Sequence, residues 1–292
     1  MSAFEISVIL AEAQGQPDLR PALASIERAC AGLSTEVLVV RPSGRPPLSS
    51  WPALTVRELV TDEATLVPER WGLGVRAAAA PVFACLTSEF TVHEGWARAL
   101  LDALGNGAVG AAGAIELGTH AGATAAAVYL VRFSSYLPRP GAEPKAAENI
   151  PGDTAAYRRD AVMRFPDLLA DGFWEIEFHR RFAAAGQQLL ALPQPLATFR
   201  PKRGLGASLL LRYRHGREYG VTRVVRHRHH AWRLILGAPL VPFVLVGRIV
   251  RRVMAVPGRR RLMFGAFPAL MMISAAWAAG EAAGAWSARG QR

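Results

Sequence analysis

The chain has 292 residues, of which 51% are hydrophobic and 20% are charged, with 34 basic against 23 acidic side chains and two cysteines. This apolar content excludes a largely disordered chain, and the length is ample for a buried core. A disulfide scaffold is excluded as well, because Cys30 and Cys85 lie in apolar segments typical of buried positions. The net charge of +11 divides unevenly, with −5 over residues 1–199, +15 over 200–261 and +1 over 262–292. A uniformly basic nucleic-acid-binding protein would not partition its charge in this way, so we expect no nucleic-acid partner.

The first 120 residues alternate short apolar strands with helical segments. Strands are predicted at residues 6–10, 36–40, 54–60, 81–86 and 107–114. Helices are predicted between them, at residues 17–32, 71–80 and 94–104. This alternation predicts an α/β fold with an open, mainly parallel sheet flanked by helices. Such sheets bind ligands at the carboxyl ends of their strands, here residues 11–14, 41–44 and 87–90.

The second half has a different pattern. Its predicted elements are a polar loop with a short helix at residues 150–160, a helix at 172–186, an edge strand at 188–192 and a long Arg/His-rich helix from 208 to about 230. Pro193 and Pro195 are expected to end the edge strand, because proline cannot donate to a strand ladder.

Two apolar runs lie within and after the basic stretch, at residues 234–247 and 262–280. The second run has 19 uncharged residues, which at about 1.5 Å per helical residue can cross a hydrocarbon core of about 30 Å. It is predicted to span the membrane or to lie in its interface. The first run has only 14 uncharged residues and is predicted to be a shallow segment, with nearby arginines on anionic headgroups. The alternative is that both runs are buried core helices.

The side of the membrane follows from charge. Residues 1–15 carry two acidic and no basic side chains, which is not the pattern of a signal peptide, so the body is predicted to stay cytoplasmic. Six arginines lie between residues 248 and 261. If both apolar runs spanned, these arginines would lie opposite the body, which the positive-inside bias disfavours.

A series of short motifs runs through the chain in a definite order. They are GVRAA at residues 74–78 leading into the strand that follows, TSE at 87–89, IPGDTAAYRR at 150–159, GFWE at 172–175, YRHGR at 213–217 and the tail at 277–284. Together with the two opening strands, they resemble the bacterial membrane-associated family-2 glycosyltransferases over residues 4–285.

This resemblance implies a GT-A-like nucleotide-sugar and acceptor domain at residues 1–205 and a basic, helical, membrane-associating region at 206–292. It implies transfer of a sugar from a nucleotide-sugar donor to a lipid-linked or glycan hydroxyl acceptor, at the cytoplasmic side of the inner membrane. The expected general base is Glu175. The expected donor-binding residues are Glu12, Arg76, Ser88, Glu89 and Asp153. The residues expected at the diphosphate or acceptor are Trp174, His179, Arg214 and Arg217.

The chemistry explains why such residues are needed. A leaving diphosphate requires its charge to be neutralised, in that family by a carboxylate-held Mg²⁺ or Mn²⁺ with arginine assisting. Glu89 stands where the last carboxylate of the D-x-D motif would be, but Thr87 and Ser88 replace the rest of that motif, and Arg41 stands where relatives carry Asp. A non-catalytic relative that binds a nucleotide, a glycan or a partner at the membrane is therefore the alternative function.

Ordinary structural roles are the alternatives for the site residues. Glu175 and His179 lie four residues apart and could form a polar pair on a solvated helix face. Asp153 could serve only its turn, and Arg76 could be a helix-surface cation. His227, His229 and His230 invite a metal assignment, but their arginine neighbours favour a cationic helix end against headgroups.

Overall fold

The structure is a computed structural model that describes residues 3–48, 50–225 and 229–290. Over these residues the chain forms two compact units. The first unit comprises Met1–Glu116 and Tyr136–Pro201. The second comprises Leu117–Ser135 and Lys202–Arg292, so a short internal segment joins the C-terminal helices.

The first unit is organised around four parallel strands at one end of a mixed sheet. They are β1 (Ile6–Ala11), β2 (Thr35–Pro42), β3 (Thr55–Thr61) and β4 (Val82–Thr87). Their spatial order is β3-β2-β1-β4, and each neighbouring pair is parallel. Strands β1 and β2 are buried along their whole length, as expected for apolar parallel strands covered on both faces.

Five further strands extend this sheet beyond β4. They are β5 (Phe90–Val92), β6 (Gly110–Leu117), β7 (Lys145–Ala147), β8 (Ala156–Arg158) and β9 (Leu189–Phe199). The order continues β4-β8-β6-β9-β5, and β7 pairs with β9. Strand β8 is antiparallel to both β4 and β6, so it separates two strands that run in the same direction.

Helices flank the sheet and connect its strands. They are α1 (Arg20–Ala29), α2 (Val67–Ala77) and α3 (Trp96–Gly105), followed after the internal segment by α5 (Arg159–Val162), α6 (Pro166–Ala170) and α7 (Glu175–Ala184). Helix α2 begins where its sequence indicates, because Pro68 lies in the first turn and the Glu69 carboxylate accepts a hydrogen bond from the backbone N–H of Leu66 (2.6 Å). The predicted α/β class is therefore confirmed.

Three details of the second-half prediction are wrong. The segment 188–192 is part of the 11-residue strand β9, which runs through Pro193 and Pro195 and lies between β6 and β5. The prolines are tolerated because they fall between the stretch paired with β7 and the stretch paired with β5. The loop at 150–160 contains strand β8, and the helix predicted from residue 172 begins at Glu175.

The second unit is helical in its described part. Its helices are α4 (Ala123–Phe133), α8 (Leu205–Val225), α9 (Ala231–Gly237), α10 (Val241–Met254) and α11 (Arg260–Ala288). Glycines allow α8 and α11 to approach closely: a Cβ atom at Gly216 or Gly220 would meet the backbone of α11, and one at Gly280 or Gly284 would meet the backbone of α8. Pairs of small residues four apart are typical of tightly packed apolar helices.

Two helical stretches of this unit, Ala231–Met254 and Arg260–Ala288, are long and apolar enough to cross a membrane by length and composition. The helical stretch around the run at 234–247 has 24 residues, so its length would allow a span. The shallow position predicted for this run stays a prediction. Its flanking arginines lie within the helical ends, where long side chains can reach polar surroundings. In the apolar 18-residue segment of each stretch, 22% of the residues are buried for Ala231–Met254 and 39% for Arg260–Ala288. The core helix of a soluble protein is mostly buried, so these values are not typical of core helices.

Candidate functional site

The carboxyl ends of β1 and β4 meet at one edge of the sheet, and Ser88 ties them together. Its hydroxyl donates a hydrogen bond to the Gln16 carbonyl (2.7 Å) and accepts one from the backbone N–H of Ala13 (2.9 Å). The Gln16 amide in turn donates to the Ser88 carbonyl (2.7 Å). Ser88 therefore shapes the turns on which Glu12 and Glu89 lie, both of them buried. We call this region the carboxyl edge.

Glu12 belongs to a charged network at this edge. Its carboxylate accepts hydrogen bonds from Arg45, whose guanidinium also binds Glu63 (Nη2 to Oε2, 3.0 Å). The Glu12 carbonyl accepts a hydrogen bond from Nη1 of Arg70 (2.6 Å), which is itself buried. Burial lowers the pKa of the Arg70 guanidinium below its usual range. Among the described residues, Nε of Arg70 has no hydrogen-bond partner.

Two carboxylates meet beside the carboxyl end of β4. The register of β4 with β8, continued by a hydrogen bond from the Cys85 N–H to the Ala155 carbonyl (2.9 Å), brings Asp153 alongside the end of β4. Glu175, the first residue of α7, lies against the same turn: a Cβ atom at Gly152 would come within 2.7 Å of its Cγ atom. Asp153 and Glu175 therefore share one corner of the carboxyl edge.

The GFWE segment positions Glu175. Gly172 has φ of +113°, which favours glycine, and a Cβ atom there would meet the backbone of Pro68 and Glu69 at the start of α2. The next residue, Phe173, donates its backbone N–H to the Pro68 carbonyl (2.7 Å). The Phe173 ring packs against Phe83, with 5.4 Å between ring centroids. The segment is thus fixed to α2 and to the core just before α7 begins.

Below the two carboxylates lie Tyr157, Cys85 and His179, all buried. Burial first, and then the negative charges of Glu175 and Asp153, raise the pKa values of the Tyr157 hydroxyl and the Cys85 thiol. Nε2 of His179 lies 3.0 Å from the Tyr157 hydroxyl oxygen, and burial lowers the pKa of His179 to about 4. His179 is therefore neutral near pH 7 and supports Tyr157 from within the core.

The first unit contains two more predicted site residues, Arg76 and Trp174, together with Arg41, which stands where an Asp was expected. Arg76 is in the last turn of α2, which starts at the carboxyl edge and ends towards the opposite one, and its Nη1 donates to the Leu169 carbonyl (2.6 Å). Arg41 forms a bidentate ion pair with Glu58 on the neighbouring strand β3, with 2.7 Å from Nε to Oε1 and 2.9 Å from Nη2 to Oε2. Trp174 is exposed and donates its indole N–H to the Asp171 carbonyl (3.1 Å).

The remaining predicted residues belong to the second unit. Arg214 and Arg217 lie on α8. His227 lies outside the described residues, and His229 and His230 line a cavity of the second unit.

The sequence predicts a divalent cation at Glu89, but few side-chain oxygens next to Glu89 in the motif could bind a metal ion. The Ser88 hydroxyl is occupied by Gln16 and Ala13. The Thr87 hydroxyl is buried without a hydrogen-bond partner among the described residues. Within the ranges that the structure describes, no group of three or more His, Cys, Asp or Glu side chains could hold a metal ion. These residues do not fit a metal site built by protein ligands alone, so Glu89 as a metal ligand stays a prediction.

Sequence reasoning missed Arg45, Arg70 and Tyr157. A signal for Arg70 existed, because a helix that follows a parallel strand starts at the carboxyl edge, and Arg70 lies in the first turns of such a helix. Tyr157 is part of the IPGDTAAYRR motif, but the sequence predicts no functional role for it. Arg45 follows Gly44 in a loop, where nothing local indicates its pairing with Glu12.

No family model matches this sequence, and no curated protein matches it significantly.

Proposed function

We propose that the first unit is a GT-A-like glycosyltransferase domain of the family-2 type, in which Glu175 is the general base. The observation that carries this proposal is the meeting of Asp153 and Glu175 beside the carboxyl end of β4. Open parallel sheets bind their ligands at this edge. A general base must hold one position within reach of the proton it takes, and the Phe173 hydrogen bond to α2 supports that role.

In the proposed reaction the acceptor hydroxyl gives its proton to the Glu175 carboxylate as its oxygen bonds to the anomeric carbon of the donor sugar. The bond between that carbon and the diphosphate oxygen breaks, and the diphosphate leaves with the electron pair. Asp153 is assigned to hydroxyl groups of the donor sugar, and Glu12 with its partner Arg45 to the nucleoside.

The charge of the carboxyl edge limits how the donor can bind. Among the charged residues described above at this edge, acidic side chains outnumber basic ones, with Glu12, Glu63, Glu89, Asp153 and Glu175 against Arg45 and Arg70. An anionic diphosphate would therefore need additional positive charge. A donor-borne Mg²⁺ or Mn²⁺ could supply it, with phosphate and water as most of its ligands. The roles predicted for Arg214 and Arg217 stay predictions, and no step here depends on them.

The test is donor turnover by the full chain in a nonionic detergent, measured as release of nucleoside diphosphate across a panel of nucleotide sugars. Glu175→Gln keeps the side-chain shape but cannot accept the proton, so turnover is expected to fall by about 10²–10⁴-fold. Glu177→Gln is the matched control, because Glu177 lies on the same helix, is exposed and pairs only with Arg180 in the described contacts. Turnover by Glu175→Gln at the wild-type rate, with the same thermal midpoint, would show that Glu175 is not the base.

A second candidate function is binding without catalysis. It is favoured by the donor side of the edge, where the Ser88 hydroxyl and the Glu12 carboxylate are already engaged by other residues. This function predicts that nucleoside diphosphate raises the thermal midpoint of the chain while no nucleotide sugar is turned over. Turnover of any donor would eliminate it.

The membrane part of the proposal places the first unit at the cytoplasmic side of the inner membrane. Exposed apolar side chains on α10 and α11, such as Phe243 and Phe264, support membrane association. The arginines between residues 248 and 261 favour a cytoplasmic position for the segment between these helices. Pro257→Cys tests this, because Cys30 and Cys85 are buried and should label little. A membrane-impermeant thiol reagent should label the new cysteine in inverted vesicles and not in right-side-out ones, and the opposite result would reject the assignment.

A further inference from the structure

A cavity of about 490 Å³ lies within the second unit. Its polar lining comes from the end of α8, the segment before α9, α9 itself and α11. The charged and titratable residues of this lining are Arg223, His229, His230, Arg233 and Glu281. All of its described lining residues belong to the second unit.

Glu281 is the unusual member of this set. It is a buried carboxylate within α11, whose other charged residues, Arg260 and Arg261, lie in the first turn. The carboxylate accepts a hydrogen bond from Nη1 of Arg223 (2.6 Å). A buried carboxylate is costly unless it is paired, so Glu281 fixes the Arg223 guanidinium at the cavity wall.

Backbone contacts hold the remaining donors near this pair. The His229 N–H donates to the Arg223 carbonyl (2.9 Å), which holds His229 next to the end of α8. The Arg233 N–H donates to the His230 carbonyl (3.1 Å) at the start of α9. Four nitrogen-bearing side chains therefore converge on the cavity from a short stretch of chain.

The charge of the lining is positive. Glu281 offsets only one of Arg223 and Arg233, even with both histidines neutral. Two guanidinium groups and two imidazoles are well suited to phosphate oxygens, since arginine binds phosphate through parallel hydrogen bonds. The excess of positive charge in this lining favours an anionic ligand.

The rest of the lining and its surroundings are apolar. Leu234, Gly237 and Val241 are its other described lining residues. Exposed apolar side chains lie close to them in sequence, namely Trp232, Leu236, Leu240 and Phe243. A cationic cavity beside an exposed apolar surface matches a molecule with an anionic head and an apolar chain.

We propose that this cavity binds the phosphate group of an anionic amphiphile, of the lipid phosphate monoester class. The phosphate contacts Arg223 and Arg233 with help from the histidines, and the chain lies along the apolar surface of α9 and α10. This inference rests on the second unit alone and holds whether or not the first unit transfers sugars.

The test measures binding to the full chain in dodecyl maltoside, with dodecyl phosphate, inorganic phosphate and dodecylphosphocholine as probes and native mass spectrometry as the readout. Dodecyl phosphate is expected to bind tightest, because it alone has both the dianionic head and the chain. Arg233→Gln should weaken its binding about tenfold, as for the loss of one charge-assisted contact. Arg252→Gln, on exposed α10 surface outside the cavity, should leave binding unchanged within about twofold.

A second variant tests the site independently, in case Arg233→Gln does not fold. Arg223→Gln combined with Glu281→Gln replaces the buried ion pair with two amides, so no unpaired charge is left, and it should also weaken dodecyl phosphate binding. Equal binding by Arg233→Gln and Arg252→Gln would overturn the site. If inorganic phosphate bound as tightly as dodecyl phosphate, the proposal that the ligand has an apolar chain would be rejected. If dodecylphosphocholine bound as tightly, the proposal that the site selects a dianionic phosphate would be rejected.

Discussion

The two units each bury a carboxylate that is paired with a partly exposed arginine, and the two pairs differ in what surrounds them. In the first unit the side chains of Glu12 and Arg45 are 2% and 28% exposed, with 2.7 Å between Oε1 and Nη2. In the second unit those of Glu281 and Arg223 are 3% and 29% exposed, with 2.6 Å between Oε1 and Nη1. By the exposure of their side chains and the distance between their charged atoms, the two ion pairs are equivalent.

Their surroundings separate them. Arg45 also binds Glu63, and the charge of Arg70 lies near Glu12, so the first pair is one link in a balanced network at the carboxyl edge. The second pair lies between two helices and beside a lining with excess positive charge. Under the two proposals, the balanced network would position groups for chemistry, whereas the isolated pair with excess positive charge would help to hold an anion.

The largest effect should come from breaking the helix contact on which the second pair depends. In Gly284→Leu the new side chain would overlap the backbone of α8 at Arg217, and neither helix can yield without separating. We expect a loss of about 3–5 kcal/mol in the unfolding free energy of the second unit. The urea midpoint in detergent, followed by tryptophan fluorescence, measures it.

Gly265→Leu is the matched control for this change. Gly265 lies on the same helix, and a Cβ atom there would meet nothing within 4 Å. It should shift the unfolding free energy by about 0.5 kcal/mol or less. If both variants unfolded at the same urea concentration, the glycine contact would not be what holds α8 to α11.

The next effect compares the two ion pairs directly. Arg223→Met should cost the second unit about 2–3 kcal/mol, because it leaves the Glu281 carboxylate buried without its hydrogen-bond partner. Arg45→Met should cost the first unit only about 1 kcal/mol, because Arg70 still offsets the charge of Glu12. Paired urea titrations of the two variants check this order, and equal losses would mean that the network at the carboxyl edge contributes nothing beyond its single ion pair.

The sequence predicts β1, β2 and β4 well because each is a short, largely apolar run ended by turn residues, which is local information. Strand β9 could not be predicted through Pro193 and Pro195, since its continuity depends on β7 and β5 taking over pairing on either side of them. Strand β8 has only three residues, and its pairing with β4 and β6 is likewise non-local.

The candidate site divides in the same way. Asp153 and Glu175 are recognisable from their motifs, but that they share one corner depends on the register of β8 and on the contact of Gly172 with α2. The position of Arg76 was unpredictable for a related reason, because the direction of α2 carries residues near its end away from the carboxyl edge. Its role at the donor stays a prediction. Residue types were thus predictable, and their distances to one another were not.

The smallest expected effect is on the pH dependence of stability, and it comes from His179, a buried titratable residue of the first unit. Its folded-state pKa is lowered from 6.5 to about 4 by burial, so the unfolded chain binds more protons between these values. The neutral form therefore contributes its full stability above pH 6.5, and this contribution is lost as the pH falls towards 4. Between pH 6.5 and 5.5 the first unit should lose about 1 kcal/mol through this group.

His179→Gln keeps polar atoms near Tyr157 and Asn149 but cannot titrate, so it should remove that part of the pH dependence. His120→Gln, at an exposed position, should leave the dependence unchanged. Urea midpoints at pH 7.5, 6.5 and 5.5, read from near-ultraviolet circular dichroism, give the comparison. A wild-type pH slope retained in His179→Gln would mean that His179 is not the source of this pH dependence.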